Sequence, residues 1–377
     1  MPSLIYFDNA ATTRVKPECV YDAYNYYLRD VGVSPGRSSY GLGIEASRML
    51  YETRKTVASF FGALDMDRVF FTKSSTEAIN LFANGYLEPN DHILLSCYEH
   101  NAVLRPIHNL SLTKDIKYSV LGDRELHSHN FSCIDKHITS RTKVAFITLA
   151  SNLTGEIVYT SKLGEYLQSK GIRVFVDASQ GAGKLMIDMT KDNIDFLAFT
   201  GHKDLHGLPG TGGLCCNTSF ECTPLIQGGT GIHGDSYINP NIYPESYEAG
   251  TMNMPALWAL KAAIDYISQT NDFNTLLEKE LIETLIEGLA CMPNIILYNS
   301  KRTRVSTFCF CVKGVSTDEV IRALNSDNIC VRGGIHCAIL AHETLGTVKT
   351  GAVRVSVDYN NTKNEVSVFL NKIMRLR

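Results

Sequence analysis

The sequence predicts an α/β protein: a mainly parallel sheet with helices on both faces, followed by a smaller α+β unit. Three observations lead there. Short apolar runs recur at 69–71, 93–95, 144–147, 174–176 and 196–199, the pattern of strands buried on both faces. Helical patterns lie between several of them, as at Lys162 to Ser169, and such alternation builds parallel crossover units. After about residue 225 the pattern changes to a long loop and then to mixed helices and strands.

Each element has its own signal. Ile44, Met49, Leu50, Val57, Phe60 and Phe61 fall near helical spacing and predict a helix over 44–62. Val69-Phe70-Phe71 is a strand that ends at Lys73, and a second helix begins at Ser74-Ser75-Thr76. Gly228-Gly229-Thr230-Gly231 and the Asn/Pro/Tyr stretch to Pro244 read as loop. Two helices are expected next, Pro255 to Gln269 and Leu276 to Leu289, the second with apolar residues on one face. The remainder reads as strand 305–312, helix 317–326, strand 329–332, strand 352–357 and helix 363–374. Ser316…Glu319 and Thr362…Glu365 are capping-box candidates for the last two helices.

Composition narrows the function classes. The chain has 377 residues, 44% hydrophobic and 20% charged, with a formal net charge of −3. That is enough apolar material for a sizeable core, which excludes wholesale disorder. The charge balance gives no general pull toward nucleic acid or a membrane surface. No run approaches the roughly 18 apolar residues of a membrane helix. Eleven cysteines include no C-x-x-C pair, so no structural-metal signal is present and no metal is expected. Met1 to Asp8 lacks a basic segment followed by an apolar one, so a reducing, cytoplasmic setting is expected, with most thiols acting as small core hydrophobes.

Ligands of open α/β sheets bind beyond the carboxyl ends of strands, so the residues after each strand carry the functional signal. Lys203, in Thr200-Gly201-His202-Lys203, follows the run at 196–199. An amine there can be desolvated and can form a Schiff base with an aldehyde cofactor; the tetrapeptide alone also suits an ordinary surface lysine. Asp177, in Asp177-Ala178-Ser179-Gln180, follows the run at 174–176. It could pair with a protonated ring nitrogen or simply cap a helix. Ser74-Ser75-Thr76 opens a helix, where hydroxyls and free amides suit a phosphate or serve as a cap. His100 could stack on an aromatic cofactor or be a loop histidine. Arg354 interrupts an apolar strand and needs an anion, from a substrate or a structural carboxylate. Cys337, in Arg332-Gly333-Gly334-Ile335-His336-Cys337, has neighbours that favour a thiolate, or it is one more buried cysteine.

The order of these segments resembles the class V aminotransferases, a family of pyridoxal-phosphate enzymes, and is most similar to their cysteine desulfurase and selenocysteine lyase branch. The resemblance runs from Tyr6-Phe7-Asp8-Asn9-Ala10-Ala11-Thr12-Thr13 to the last helix. It is strongest at Ser75-Thr76-Glu77-Ala78-Ile79-Asn80, Asp177–Gln180, Thr200–Lys203, Tyr247-Glu248-Ala249-Gly250-Thr251 and Arg332–Cys337. It implies the fold-type I architecture: a large cofactor-binding domain over 15–255 with a seven-stranded type of sheet, and a small domain over 256–377 joined by 1–14.

The resemblance also implies roles. Lys203 would bond the pyridoxal 5'-phosphate cofactor and shuttle protons, with Asp177 on the pyridine nitrogen, Gln180 on the phenolic oxygen and His100 on the ring. Thr76, Thr200, His202 and the Ser75 backbone would hold the phosphate. Thr251 would reach the phosphate of the other subunit, which implies a homodimer. Asn9, Asn152 and Arg354 would hold the substrate carboxylate, Arg332 would lie beside the substrate, and Cys337 would attack its sulfur. The implied activity is a cysteine desulfurase, a sulfurtransferase that makes L-alanine and a persulfide for a sulfur-acceptor protein. The alternatives are selenocysteine lyase and another class V reaction: an aminotransferase, an epimerase or a cystine C–S lyase. From Cys337 to Arg354 the chain advances 17 residues, too few for a long mobile cysteine arm, which looks like the second desulfurase group. Asp204-Leu205-His206 stands where relatives often carry a small apolar or aromatic turn.

Overall fold

The computed structural model describes residues 4–36, 39–298 and 301–376, with the side chains of 271–273 excepted. The strands are β1 (Ile5–Tyr6), β2 (Val69–Thr72), β3 (His92–Ser96), β4 (Lys117–Leu121), β5 (Thr142–Thr148), β6 (Arg173–Asp177), β7 (Phe196–Thr200), β8 (Gly212–Cys216), β9 (Ile295–Leu297), β10 (Thr307–Val312), β11 (Ile329–Cys330), β12 (Arg332–Gly334) and β13 (Ala352–Ser356). The helices are α1 (Glu18–Tyr26), α2 (Gly41–Phe61), α3 (Ser75–Tyr86), α4 (Asn101–Thr113), α5 (Asp123–Leu126), α6 (Ser161–Ser169), α7 (Met254–Ala290), α8 (Thr317–Asn325), α9 (Ile339–Leu345) and α10 (Lys363–Met374).

Seven strands form the main sheet in the order β2-β8-β7-β6-β5-β3-β4. Pairs from β7 to β4 are parallel, while β8 runs antiparallel to both β2 and β7. Every residue of β3, β7 and β8 is buried, as expected for strands covered on both faces. Phe82 of α3 packs against Phe146, Phe175, Phe196 and Phe220 on one face, with centroids 4.6 to 5.8 Å away. The parallel register puts Thr148 beside Asp177 and Asp177 beside Ala198. The carboxyl ends of β5, β6 and β7 therefore open at one level.

A second, antiparallel sheet has the order β12-β13-β10-β9. Both capping boxes form: Ser316 with Glu319 at α8 and Thr362 with Glu365 at α10. The N-terminal segment crosses to this region, where β1 pairs with β11 in parallel and Asp8 bridges to Ser356.

Two expectations are corrected. The helices expected at 255–269 and 276–289 are one 37-residue helix, α7. Neither Pro nor Gly falls between 256 and 287, and hydroxyls in this stretch bond back one turn: Ser268 to the Ile264 carbonyl at 2.8 Å and Thr270 to that of Tyr266 at 2.9 Å. The strand expected at 329–332 is two short strands in different sheets, β11 on β1 and β12 on β13. Glycines let β12 approach closely: a Cβ on Gly351 would lie 2.8 Å from the Gly334 Cα. Among the described residues no helix is long and apolar enough to cross a membrane.

Candidate active site

A cavity opens where β5, β6 and β7 end. Its walls include Ser75, Thr76, His100, Asn152, Asp177, Gln180, Thr200, His202 and Lys203, so segments far apart in sequence converge because parallel strands end on one edge. Thr148, Ala150, Ser74 and Ser179 complete the wall.

Lys203 follows β7, and its carbonyl accepts from the Thr13 hydroxyl at 3.0 Å and the His206 amide at 2.8 Å. Burial pushes its amine below the ordinary lysine range; Asp177 pulls the other way, and the Arg354 and Arg332 guanidiniums push further down. Asp177 is buried, and its Oδ1 accepts from the Ser179 amide at 2.9 Å and hydroxyl at 2.5 Å. With the Ser179 proton on Asp177, the Ser75 hydroxyl, 2.6 Å away, donates to the Ser179 oxygen, joining the Asp177 turn to the start of α3. There Ser74 caps the Glu77 amide at 3.3 Å, and the first helical amides at Ser75 and Thr76 border the cavity, an anion-binding arrangement.

His100 caps α4 by accepting the Ala102 amide at Nδ1, 3.0 Å away, which leaves its proton on Nε2. Burial and then the nearby Lys203 push this imidazole down to about 4, so it is neutral at pH 7. His202 is held at about 4 by burial, Lys203 and Lys16. Gln180 is buried and donates Nε2 to the Ala10 carbonyl at 2.8 Å. Thr200 donates to the Thr211 carbonyl at 3.5 Å.

Asn152, Arg354, Asp8 and the Cys337 loop form the neighbouring rim. Asn152 donates Nδ2 to the His336 carbonyl at 2.7 Å, its own carbonyl accepts Arg354 Nη1 at 3.0 Å, and its Oδ1 is buried without a partner. Arg354 is buried and pairs with Asp8 at 2.7 Å, and the more exposed Arg332 reaches the same carboxylate at 3.2 Å. Cys337 is exposed, and its carbonyl accepts the Asn101 amide at 2.8 Å, one residue beyond His100. Asn9 gives its amide hydrogens to the carbonyls of Ser356 at 3.1 Å and Tyr6 at 3.3 Å, tying down the N-terminal segment. Thr251 lies outside the cavity, in a groove with Lys73, Glu77 and Gly250.

All eleven cysteines are free. The expectation that most thiols are core hydrophobes is corrected: four are buried, five are half-buried, and Cys291, just after α7, is exposed as Cys337 is. Sequence reasoning passed over Glu99 and Asp8. Glu99 is fully buried, accepts from Ser96 at 2.5 Å and from the Thr148 amide at 2.7 Å, and is pushed up to about 8 by burial. In the sequence it is only a carboxylate directly before His100, and that position does not by itself mark it as buried against the site. Asp8 stood inside the N-terminal motif, next to the asparagine chosen instead.

This fold and convergence of residues mark an enzyme of the fold-type I class. The chain belongs to the aminotransferase class-V family, whose model matches residues 5–369. It is 32% identical to a probable cysteine desulfurase of Mycolicibacterium paratuberculosis across 99% of this chain, but spans only 55% of that protein's length. A probable cysteine desulfurase of Methanothermobacter thermautotrophicus is 31% identical, with 97% of this chain and 92% of the relative covered. The apo cysteine desulfurase of Thermococcus onnurineus NA1 superposes with a TM-score of 0.91 at 31% identity, covering 98% of this chain and 94% of that one.

Proposed function

We propose that this protein is a pyridoxal-phosphate-dependent cysteine desulfurase that converts L-cysteine to L-alanine and captures the sulfur on Cys337. One observation carries the reading. The Cys337 loop is hydrogen-bonded to the cavity that holds Lys203, through Asn101 to the Cys337 carbonyl and Asn152 to the His336 carbonyl.

The cavity fits the cofactor by the chemistry of its donors: helix amides and hydroxyls for a phosphate, a buried carboxylate for a ring nitrogen, and a buried amine for an aldehyde. When bound, pyridoxal 5'-phosphate supplies that aldehyde and a ring that delocalises the electrons left when Cα loses its proton. Ser75, Thr76, Thr200 and His202 would hold the phosphate, Asp177 the ring nitrogen, Gln180 the phenolic oxygen and His100 the ring face. Lys203, its amine favoured neutral by burial, takes the substrate Cα proton. Asn152 and Arg354 seat the carboxylate, with Arg332 beside the substrate; Asn9, whose two amide hydrogens go to the Ser356 and Tyr6 carbonyls, holds the N-terminal segment instead of the carboxylate it was expected to bind. The Cys337 thiolate attacks the substrate sulfur; the Cβ–Sγ bond breaks, an S–S bond forms, and the Cβ that keeps the electron pair takes a proton on the way to alanine.

Thr251 lies outside this chain's cavity, which supports a homodimer whose second subunit brings that hydroxyl to the phosphate. The site then belongs to both units, 15–255 and 256–377 with 1–14. Eleven free thiols support a reducing, cytoplasmic compartment, and the exposure of Cys337 supports passing its sulfur to an acceptor protein.

The test is parallel release of alanine from L-cysteine, selenocysteine and cysteine sulfinate with a thiol reductant present, and from cystine without one, with sulfide, selenide or sulfite measured as the co-product. Equal alanine and sulfide from cysteine, with sulfide lost in Cys337→Ser, is the expected result. Release confined to selenocysteine, or unchanged sulfide from Cys337→Ser, would overturn it.

A further inference from the structure

Arg332 and Arg354 are directly opposed across the antiparallel pair of β12 and β13. Like charges in that position repel, and Arg354 is also buried, where a guanidinium without an anion is costly. One carboxylate answers both. Asp8 Oδ1 lies 2.7 Å from Arg354 Nη2 and Asp8 Oδ2 lies 3.2 Å from Arg332 Nε. Asp8 is itself anchored: it bridges to Ser356 on the strand of Arg354, and its carbonyl accepts the Tyr6 hydroxyl at 3.3 Å. Arg354 Nη1 is spent on the Asn152 carbonyl, while its Nε is buried with no partner among the described residues.

We propose that Asp8 is a positioning and specificity-determining residue that binds the two guanidiniums into one unit with a single surplus positive charge, matched to a substrate with one carboxylate. The inference rests on the reading that these arginines face the substrate. Two guanidiniums and one carboxylate leave one net charge, and the unpartnered Arg354 Nε and Asn152 Oδ1 supply a donor and an acceptor for an amino acid's carboxylate and amine. Without Asp8 the pair carries two surplus charges and lacks the group that holds it together. A dicarboxylic amino acid then gains on a monocarboxylic one.

The experiment measures binding of L-alanine and L-aspartate to the cofactor-loaded protein by calorimetry, independent of any sulfur release. Asp8→Asn is expected to weaken L-alanine at least tenfold and to shift the alanine-to-aspartate affinity ratio at least tenfold toward aspartate. Asp8→Glu should restore part of both. Arg332→Gln combined with Asp8→Asn should lose less than the sum of the single losses, because both act through one unit. Unchanged alanine affinity in a folded Asp8→Asn, an unchanged ratio, or strict additivity would overturn the proposal. If Asp8→Asn does not fold, Arg332→Gln removes the exposed limb alone, and unchanged alanine affinity there overturns it equally. A wild-type protein that binds alanine in this pattern but releases no sulfide would fail the desulfurase reading and leave Asp8's role standing.

Discussion

Lys184 Nζ lies 2.8 Å from Glu278 Oε2 and 3.3 Å from Asp204 Oδ1, with all three side chains at most 8% exposed. The pair joins the turn after β6 to the middle of α7, and Asp204 directly follows Lys203. Glu278 also accepts from Ser306 and, at 3.2 Å, from the Tyr359 amide. The carboxylates hold the Lys184 ammonium above the ordinary lysine range despite its burial. Lys184→Met keeps the volume but strands two buried acids. A loss of about 3–5 kcal/mol is expected, read as a lower denaturant midpoint. A loss below about 1 kcal/mol would show that the acids find other partners.

A second buried pair fixes the segment that leads to Thr251. Arg54 of α2 meets Glu248 in two parallel contacts of 2.7 Å, and Glu248 also accepts the Phe71 amide at 2.7 Å. Glu248→Gln removes the charge and leaves Arg54 buried beside neutral partners. It should cost about 3 kcal/mol or more and lower the thermal midpoint. Arg54→Lys, which cannot reproduce the fork, should not be silent either.

Acid should unfold the cofactor-free protein through its histidines. Burial holds His100 and His206 at about 4 and His336 at about 3, below the value of about 6.5 in an unfolded chain. Between pH 6.5 and 4 the unfolded chain therefore binds more protons than the native one, and stability falls as pH falls. The limiting slope is about 1.4 kcal/mol per pH unit for each histidine. Urea midpoints between pH 7 and 4.5 check the sign; a flat profile would refute it.

Lys203→Ala should abolish the visible absorption expected of the cofactor-loaded protein and lower turnover about a hundredfold or more. A spectrum that keeps the wild-type band would remove Lys203 from its proposed place.

The parallel core was legible because β3, β5, β6 and β7 are continuous apolar runs, and the capping boxes because their side chains act within one turn. The long helix was less legible: the polar stretch Ser268 to Thr275 interrupts its apolar face, and only back-bonds such as those of Ser268 and Thr270 carry the helix through it. Strand β8 leaves no such signal, since Gly212-Gly213 has no β propensity, although a Cβ on Gly213 would lie 2.6 Å from the Phe199 ring. At the site, residues directly after strands could be chosen because strand ends converge. Asp8 and Glu99 could not: their meaning lies in what they touch, the arginines of β12 and β13 and the Thr148 amide, and no local spacing encodes such contacts.

The crossing of the N-terminal segment has a consequence for how the chain matures during synthesis. Ile5 and Tyr6 find their strand partners only at Ile329 and Cys330, and Asp8 finds its own at Arg354 and Ser356. Thr13, in the same segment, holds the carbonyl of Lys203. Residues 5–8 must therefore wait for partners made more than three hundred positions later before the segment that holds the lysine's backbone is itself held. The main sheet is complete in sequence once β8 has been made, but the rim of the cavity waits for β12 and β13, so a chain made only as far as α7 has the sheet without Cys337 and Arg354.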